Sequence, residues 1–214
     1  METTLPHESK IYSRFSNLYD HIFTNVFSPR IERVIGELGI ERGASVLEVG
    51  IGTGLSLGAY PRHCHLTGID LAPDMLARAR RRSERLGWKD LNLAVGNAEN
   101  LDFADAQFDY VTSFHVVSVV PNHAQMMREM YRVCRPGGTI VIINHFRSER
   151  RTIASVVDRL DPITRKLGWR TTLRVRDVLD SSPLELVHRF KTSPQSLFTV
   201  LIARRPEHRA RAAS

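Results

Sequence analysis

Three alternate glycines, Gly50, Gly52 and Gly54, with the acid Glu48 just before them, are the residues of this 214-residue chain best suited to hold a small ligand. Glycine tolerates positive φ and lets a ligand lie directly on the backbone, where a Cβ would collide. The dinucleotide fingerprint G-x-G-x-x-G requires glycine at 55, and Leu55 stands there. An acid before the first glycine repels a pyrophosphate but suits a ligand carrying an ammonium group. Further on, Asp70 offers a carboxylate that can accept both hydroxyls of a ribose. Histidine as a residue type ordinarily changes charge near neutrality, so His115 and His145 suit proton removal or the binding of a polar group.

The elements that position these residues follow from hydrophobic runs and breakers. Val46 to Val49 is an apolar strand, and the glycines form its turn into a short helix that stops near Pro61. Leu66 to Asp70 is a second strand, Gly96-Asn97-Ala98-Glu99 follows a third, and Phe108 to Phe114 is the fourth. Arg135-Pro-Gly-Gly138 reads as the turn into a fifth, Thr139 to Asn144. Ser28-Pro29 opens a helix that Gly39 ends, and Ala72-Pro73 opens another, running to Leu86 before Gly87. In the latter Met75, Leu76, Ala79 and Leu86 are expected to face inward. Asn122 to Cys134 is a third amphipathic helix, with Met126, Met127, Met130, Tyr131 and Val133 as core. Residues 147–182 read as two basic helices broken at Pro162 and near Gly168. Leu184 to Phe190 and Ser196 to Ala203 then alternate as two strands around Thr192-Ser-Pro194. Alternating strands and helices predict a doubly wound parallel sheet, whose ligands sit beyond the carboxyl ends of the strands.

With Glu48, the three glycines, Asp70, the turn at 96–99 and the turn at 135–138 in register, the chain resembles the class I S-adenosylmethionine-dependent methyltransferases. The resemblance implies an α/β fold: a doubly wound, seven-stranded, Rossmann-like sheet with an antiparallel C-terminal hairpin and an extra N-terminal amphipathic helix. It also implies S-adenosyl-L-methionine as cofactor, contacted by Tyr12, Tyr19, Glu48, Gly50, Gly52, Gly54, Asp70, Leu71, Met75, Asn97, Ala98, Glu99 and His115. Methyl transfer is an in-line displacement that calls for positioning rather than for a metal. The Asn/Asp-Pro-Pro-aromatic motif of many nucleobase methyltransferases is replaced after strand four by Ser113-Phe114-His115.

Within that family the chain looks similar to bacterial phosphatidylethanolamine N-methyltransferases, which make phosphatidylcholine in successive steps. The alternative is a C-methyltransferase of ubiquinone or menaquinone synthesis. On the lipid reading Tyr19 walls the methylated ammonium by cation–π attraction. His115, His145 or a water between them takes the amine proton. Asn144, His145, Arg147, Arg150 and Arg151 join Tyr19 in binding the phospholipid.

Composition fits this picture. The net charge of +7 and pI of about 9.9 favour anionic partners. Three of nine phenylalanines and two of five tyrosines fall in residues 8–27, where Ile11, Phe15, Leu18, Ile22 and Val26 recur at helical spacing. Such a helix suits a lid over the cofactor or a membrane interface. The expected organisation is an N-terminal lid or membrane helix over 1–27, a methyltransferase domain over 28–204 and a basic tail over 205–214. Two cysteines make no disulfide framework, there is no long apolar span, and no export signal is recognisable. The expectation is a cytoplasmic protein, peripheral on the inner face of the cell membrane, that binds an anionic surface and no nucleic acid. A monomer is compatible with the sequence, which does not set the oligomeric state.

Overall fold

The computed structural model describes residues 29–146, 173–191, 196 and 198–207. The N-terminal amphipathic segment with Tyr12 and Tyr19, the arginines 147, 150 and 151, the Ser28 cap, the basic segment up to 172 and the end of the tail lie outside the described residues.

A helix over residues 29–37 (α1) precedes β1 (Ser45–Val49), a 3-10 turn (Leu55–Gly58) and β2 (His65–Asp70). Then come α2 (Pro73–Arg85), β3 (Leu91–Val95), β4 (Phe108–Phe114) and α3 (His123–Val133). The chain continues through β5 (Cys134–His145), α4 (Val175–Leu179), β6 (Glu185–Phe190) and β7 (Phe198–Arg204). The seven strands form one sheet in the order β3-β2-β1-β4-β5-β7-β6. The first five are parallel, and β7 runs antiparallel to both β5 and β6, the expected terminal hairpin.

Alternation along the central strands divides the core between the two faces. Val46, Val141, Ile143 and Val200 pack with Ile31, Val34 and Ile35 of α1 and Leu76 of α2. Leu47, Val49, Ile140, Ile142 and Leu201 pack on the other side with Met126, Met127, Met130 and Val133 of α3 and Val178 of α4. The central strands are covered on both faces, so they read as near-continuous apolar runs. Each fully buried aliphatic there contributes about 1.5–3 kcal/mol.

Local signals set the helix ends. Pro73 starts α2, and Gly87, at φ 67°, lies just past its C-cap. The Asn122 side chain caps α3 by accepting the Gln125 N–H at 3.0 Å. At the other end of α3, one terminal nitrogen of Arg205 donates to the carbonyls of Tyr131, Arg132 and Cys134 at 2.7–2.9 Å, and its guanidinium lies over the Tyr131 ring. That contact satisfies carbonyls the helix leaves unpaired and ties the end of β7 to α3.

Two local expectations need correction. Leu86, expected to face the core, is exposed at the end of α2, where Gly87 turns the chain away. Arg135-Pro-Gly-Gly138 is not a turn ahead of the fifth strand but an irregularity inside it. Phe108 pairs Cys134 and Tyr110 pairs Thr139, with Gly137 at φ 75° between them. The extra residues bulge while both flanks keep their pairing with β4.

Candidate active site

All the described residues singled out for ligand chemistry, apart from those within α2, lie at or just beyond the carboxyl ends of the parallel strands. The loop after β1 carries Gly50, Gly52 and Gly54 at φ 80°, 56° and 75°, the left-handed conformations their spacing suggested. Their reasons for being glycine differ. A Cβ on Gly50 would stand 2.3 Å from Cγ2 of Val116, and one on Gly54 would stand 2.6 Å from Cδ1 of Leu57. Among the described residues, a Cβ on Gly52 meets nothing within 4 Å. Gly50 and Gly54 serve close packing within the protein, whereas Gly52 meets no described residue and leaves room that a ligand on the backbone can use.

Glu48 lies beneath this loop rather than in the open. It is 2% exposed, and its two carboxylate oxygens accept the Ser56 hydroxyl at 2.8 and 2.7 Å. Burial pushes its carboxyl up to about 7; hydrogen bonds from Ser56 and Tyr60 oppose the shift, and the nearby Asp70 charge adds to it. The Tyr60 hydroxyl shares a hydrogen bond with Thr112 at 2.7 Å, so a buried polar chain crosses from the loop to β4.

Asp70, at the end of β2, accepts the N–H of Gly52 through one oxygen and that of Ala72 through the other, each at 2.9 Å. Burial raises its carboxyl above the usual range, and the N–H groups of Ala72, Gly52 and Leu71 pull it back. Leu71 beside it is 62% exposed, and Val95, paired with Asp70 at the end of β3, is 60% exposed. Met75 is half-buried on the first turn of α2. The Asn97 side chain accepts the Glu99 N–H at 2.9 Å, and Glu99 in turn accepts the Asn122 N–H at 2.6 Å, while Ala98 packs inward. These contacts fix the turn after β3 against the start of α3.

The two histidines converge. His115 leaves β4 at φ 65°, uncommon for a residue with a Cβ, and its N–H donates to the Ile143 carbonyl at 2.7 Å. Its ring meets Phe198 edge to face at 4.7 Å between centroids. His145 pairs with Phe198 across β5 and β7, and their rings stand 6.3 Å apart. The guanidinium of Arg30 lies 5.7 Å from the centroid of the same Phe198 ring. Burial, helped by the Arg30 charge, pushes His115 down to about 3, so it is neutral in the physiological range. Asn144 is fully buried, accepting from Ser118 at 3.3 Å and donating to the His145 carbonyl at 2.8 Å. It thus steadies His145 from inside the fold.

Phe198, Arg30, Val95 and Tyr60 carry no mark of function in the sequence pattern. Phe198 opens an ordinary alternating strand and Arg30 sits among many arginines, so neither carries a local signal. Val95 is the last residue before Gly96, and an apolar strand end at the ligand edge was the available sign.

The chain has clear relatives in sequence and in fold. A family profile described as a methyltransferase domain matches residues 47–142. The chain is 40% identical, over 90% of its length, to the phosphatidylethanolamine N-methyltransferase of Cereibacter sphaeroides and covers 95% of that protein. It is 31% identical, over 63% of its length, to the demethylmenaquinone methyltransferase of Listeria welshimeri, of which it covers 61%. In three dimensions it resembles a SAM-dependent methyltransferase from Aquifex aeolicus with a TM-score of 0.69 at 18% identity, covering 90% of this chain and 97% of that one. This last likeness is one of fold.

Proposed function

The chain belongs to the class I S-adenosylmethionine-dependent methyltransferases, and we propose that it methylates the amino nitrogen of phosphatidylethanolamine, in successive steps toward phosphatidylcholine. The observation that carries this reading is the 40% identity to a phosphatidylethanolamine N-methyltransferase over nearly the full length of both chains.

The residues present fit the methyl donor, which supplies an electrophilic methyl group on a sulfonium. The open space over Gly52 leaves room for it on the backbone. Gly50, Gly52, Gly54 and Glu48 would hold its amino-acid end and Asp70 its ribose. The exposed Leu71 with Met75, Asn97, Ala98 and Glu99 would take the adenine. Tyr12 and Tyr19, outside the described residues, complete the cofactor set inferred from the family.

On the acceptor side, His115 stays neutral and can orient the amine as a hydrogen-bond acceptor, while His145, which shares the Phe198 wall with it, or a water between the two takes the amine proton. Asn144 acts through His145. Tyr19 would face the ammonium, and Arg147, Arg150 and Arg151 the lipid phosphate. A peripheral site on an anionic membrane surface is supported by the net charge of +7 and by the aromatic N-terminal segment. No helix among the described residues is long and apolar enough to cross a membrane.

Labelled S-adenosylmethionine with phosphatidylethanolamine vesicles is expected to give mono-, di- and trimethylated lipid. Turnover of a demethylmenaquinone with no labelled lipid would overturn the assignment. The interfacial role rests on a separate experiment: deleting residues 1–27 should abolish sedimentation with anionic vesicles, and undiminished sedimentation would remove it.

A further inference from the structure

Arg30 stands where the acceptor would bind, although its sequence neighbourhood gives no hint of this. It lies on α1, on the sheet face that also carries His145 and Phe198, and its guanidinium sits over the ring that both histidines touch. A cation at that position works against an approaching ammonium unless the acceptor brings an anion of its own. A zwitterionic headgroup does so, because its phosphodiester stands next to its amine. Guanidinium has five N–H donors in one plane, which match two phosphate oxygens, and its flat face can rest on an aromatic ring at the same time.

We infer that Arg30 is a substrate-binding residue: it takes the phosphodiester of the acceptor lipid over the Phe198 ring and thereby directs the amine toward His115 and His145. This deepens the phosphatidylethanolamine reading and rests on it. Phe198 has a double part, holding the two imidazoles edge-on and supporting the guanidinium.

The test titrates dihexanoyl phosphatidylethanolamine, kept monomeric, into the full-length protein saturated with S-adenosylhomocysteine, for wild type, Arg30→Gln and Arg30→Lys. Loss of one charge-assisted phosphate contact should weaken binding about tenfold in Arg30→Gln, and Arg30→Lys, which keeps the charge but not the fork, should recover part of it. Affinity for S-adenosylhomocysteine should not change, which also reports that each variant is folded. If Arg30→Gln does not fold, Arg30→Lys decides alone, with an expected loss of about threefold. Dihexanoylglycerol, which lacks the phosphate, should bind all three proteins equally weakly.

Wild-type turnover on phosphatidylethanolamine vesicles separates the two ways of failing. Turnover with equal lipid affinity in wild type and variants overturns the role of Arg30 alone. Absence of both turnover and lipid binding in wild type overturns the substrate assignment, and the role of Arg30 with it.

Discussion

The Asp70 carboxylate accepts the main-chain N–H of Gly52 at 2.9 Å, so the acid that ends β2 also fastens the middle of the glycine loop after β1. Removing it therefore has two effects. Asp70→Ala is expected to weaken S-adenosylhomocysteine binding by about tenfold or more and to lower the melting temperature, because two main-chain donors lose a charged acceptor. Asp70→Asn keeps one acceptor oxygen and should recover more of the melting temperature than of the affinity. Calorimetry and thermal melts on both variants check this; unchanged affinity in Asp70→Ala would take the residue out of the binding site.

The loop glycines should separate in a binding and stability comparison. Alanine at either position carries the left-handed backbone cost of about 1–2 kcal/mol. Gly50→Ala adds a collision with Val116 at 2.3 Å and should be the less stable variant. Gly52→Ala projects into open space, so its larger loss should be in cofactor affinity. Denaturant melts and calorimetric titration measure the two; equal affinity in Gly52→Ala and wild type would mean that no ligand lies there.

Glu48 gives the unliganded protein a pH dependence of a definite sign. Its carboxyl is raised in the fold from 4.5 to about 7, so the native state holds a proton that the unfolded chain has released. Its contribution is complete below about 4.5 and is lost as pH rises through about 7, with an upper bound of about 3 kcal/mol. Glu48→Gln should flatten that part of the pH–stability curve and gain on wild type at pH 8, while binding S-adenosylhomocysteine less well. A wild-type curve with no such slope relative to Glu48→Gln would show the group to be ionised in the fold.

His115 acts in the opposite direction. Its pKa is lowered from 6.5 to about 3, so as pH falls the unfolded chain gains a proton that the fold refuses. The associated stability is present above about 6.5 and is lost progressively down to about 3. His115→Asn should be less sensitive to acid over that window, and the wild-type pH–rate profile should show no limb near 6.5 due to this residue. A limb near 6.5 that disappears in His115→Asn would contradict a neutral imidazole.

Arg205 predicts a purely structural effect. Arg205→Met leaves the carbonyls of Tyr131, Arg132 and Cys134 without their donor and should cost about 2–3 kcal/mol in denaturant unfolding, with cofactor affinity retained.

Much of this architecture could be read from local pattern. The buried strands show as apolar runs, Pro73 and Asn122 mark helix starts, and the glycines with Asp70 stand at the spacing their conformations require. Other features depend on partners distant in sequence. Pro136 and the glycines after it look like a turn, and only pairing with β4 makes them a bulge within β5. Glu48 stands out locally as an acid before the glycines, but its burial and its hydrogen bonds from Ser56 and Tyr60 come from the folded chain. The cluster of Arg30, His115, His145 and Phe198 arises because the sheet order sets β7 beside β5, a relation that no local window reports.

That order also has a consequence for how the chain reaches its native state. β7 follows the other six strands in the sequence yet occupies an interior slot between β5 and β6. Until it is synthesised, the growing chain presents the β5 border of its sheet without a neighbour, an edge ready to join with another nascent molecule. Completion therefore waits for a late insertion with long sequence separation, which makes assembly slow and places the most vulnerable moment before β7 has joined the sheet.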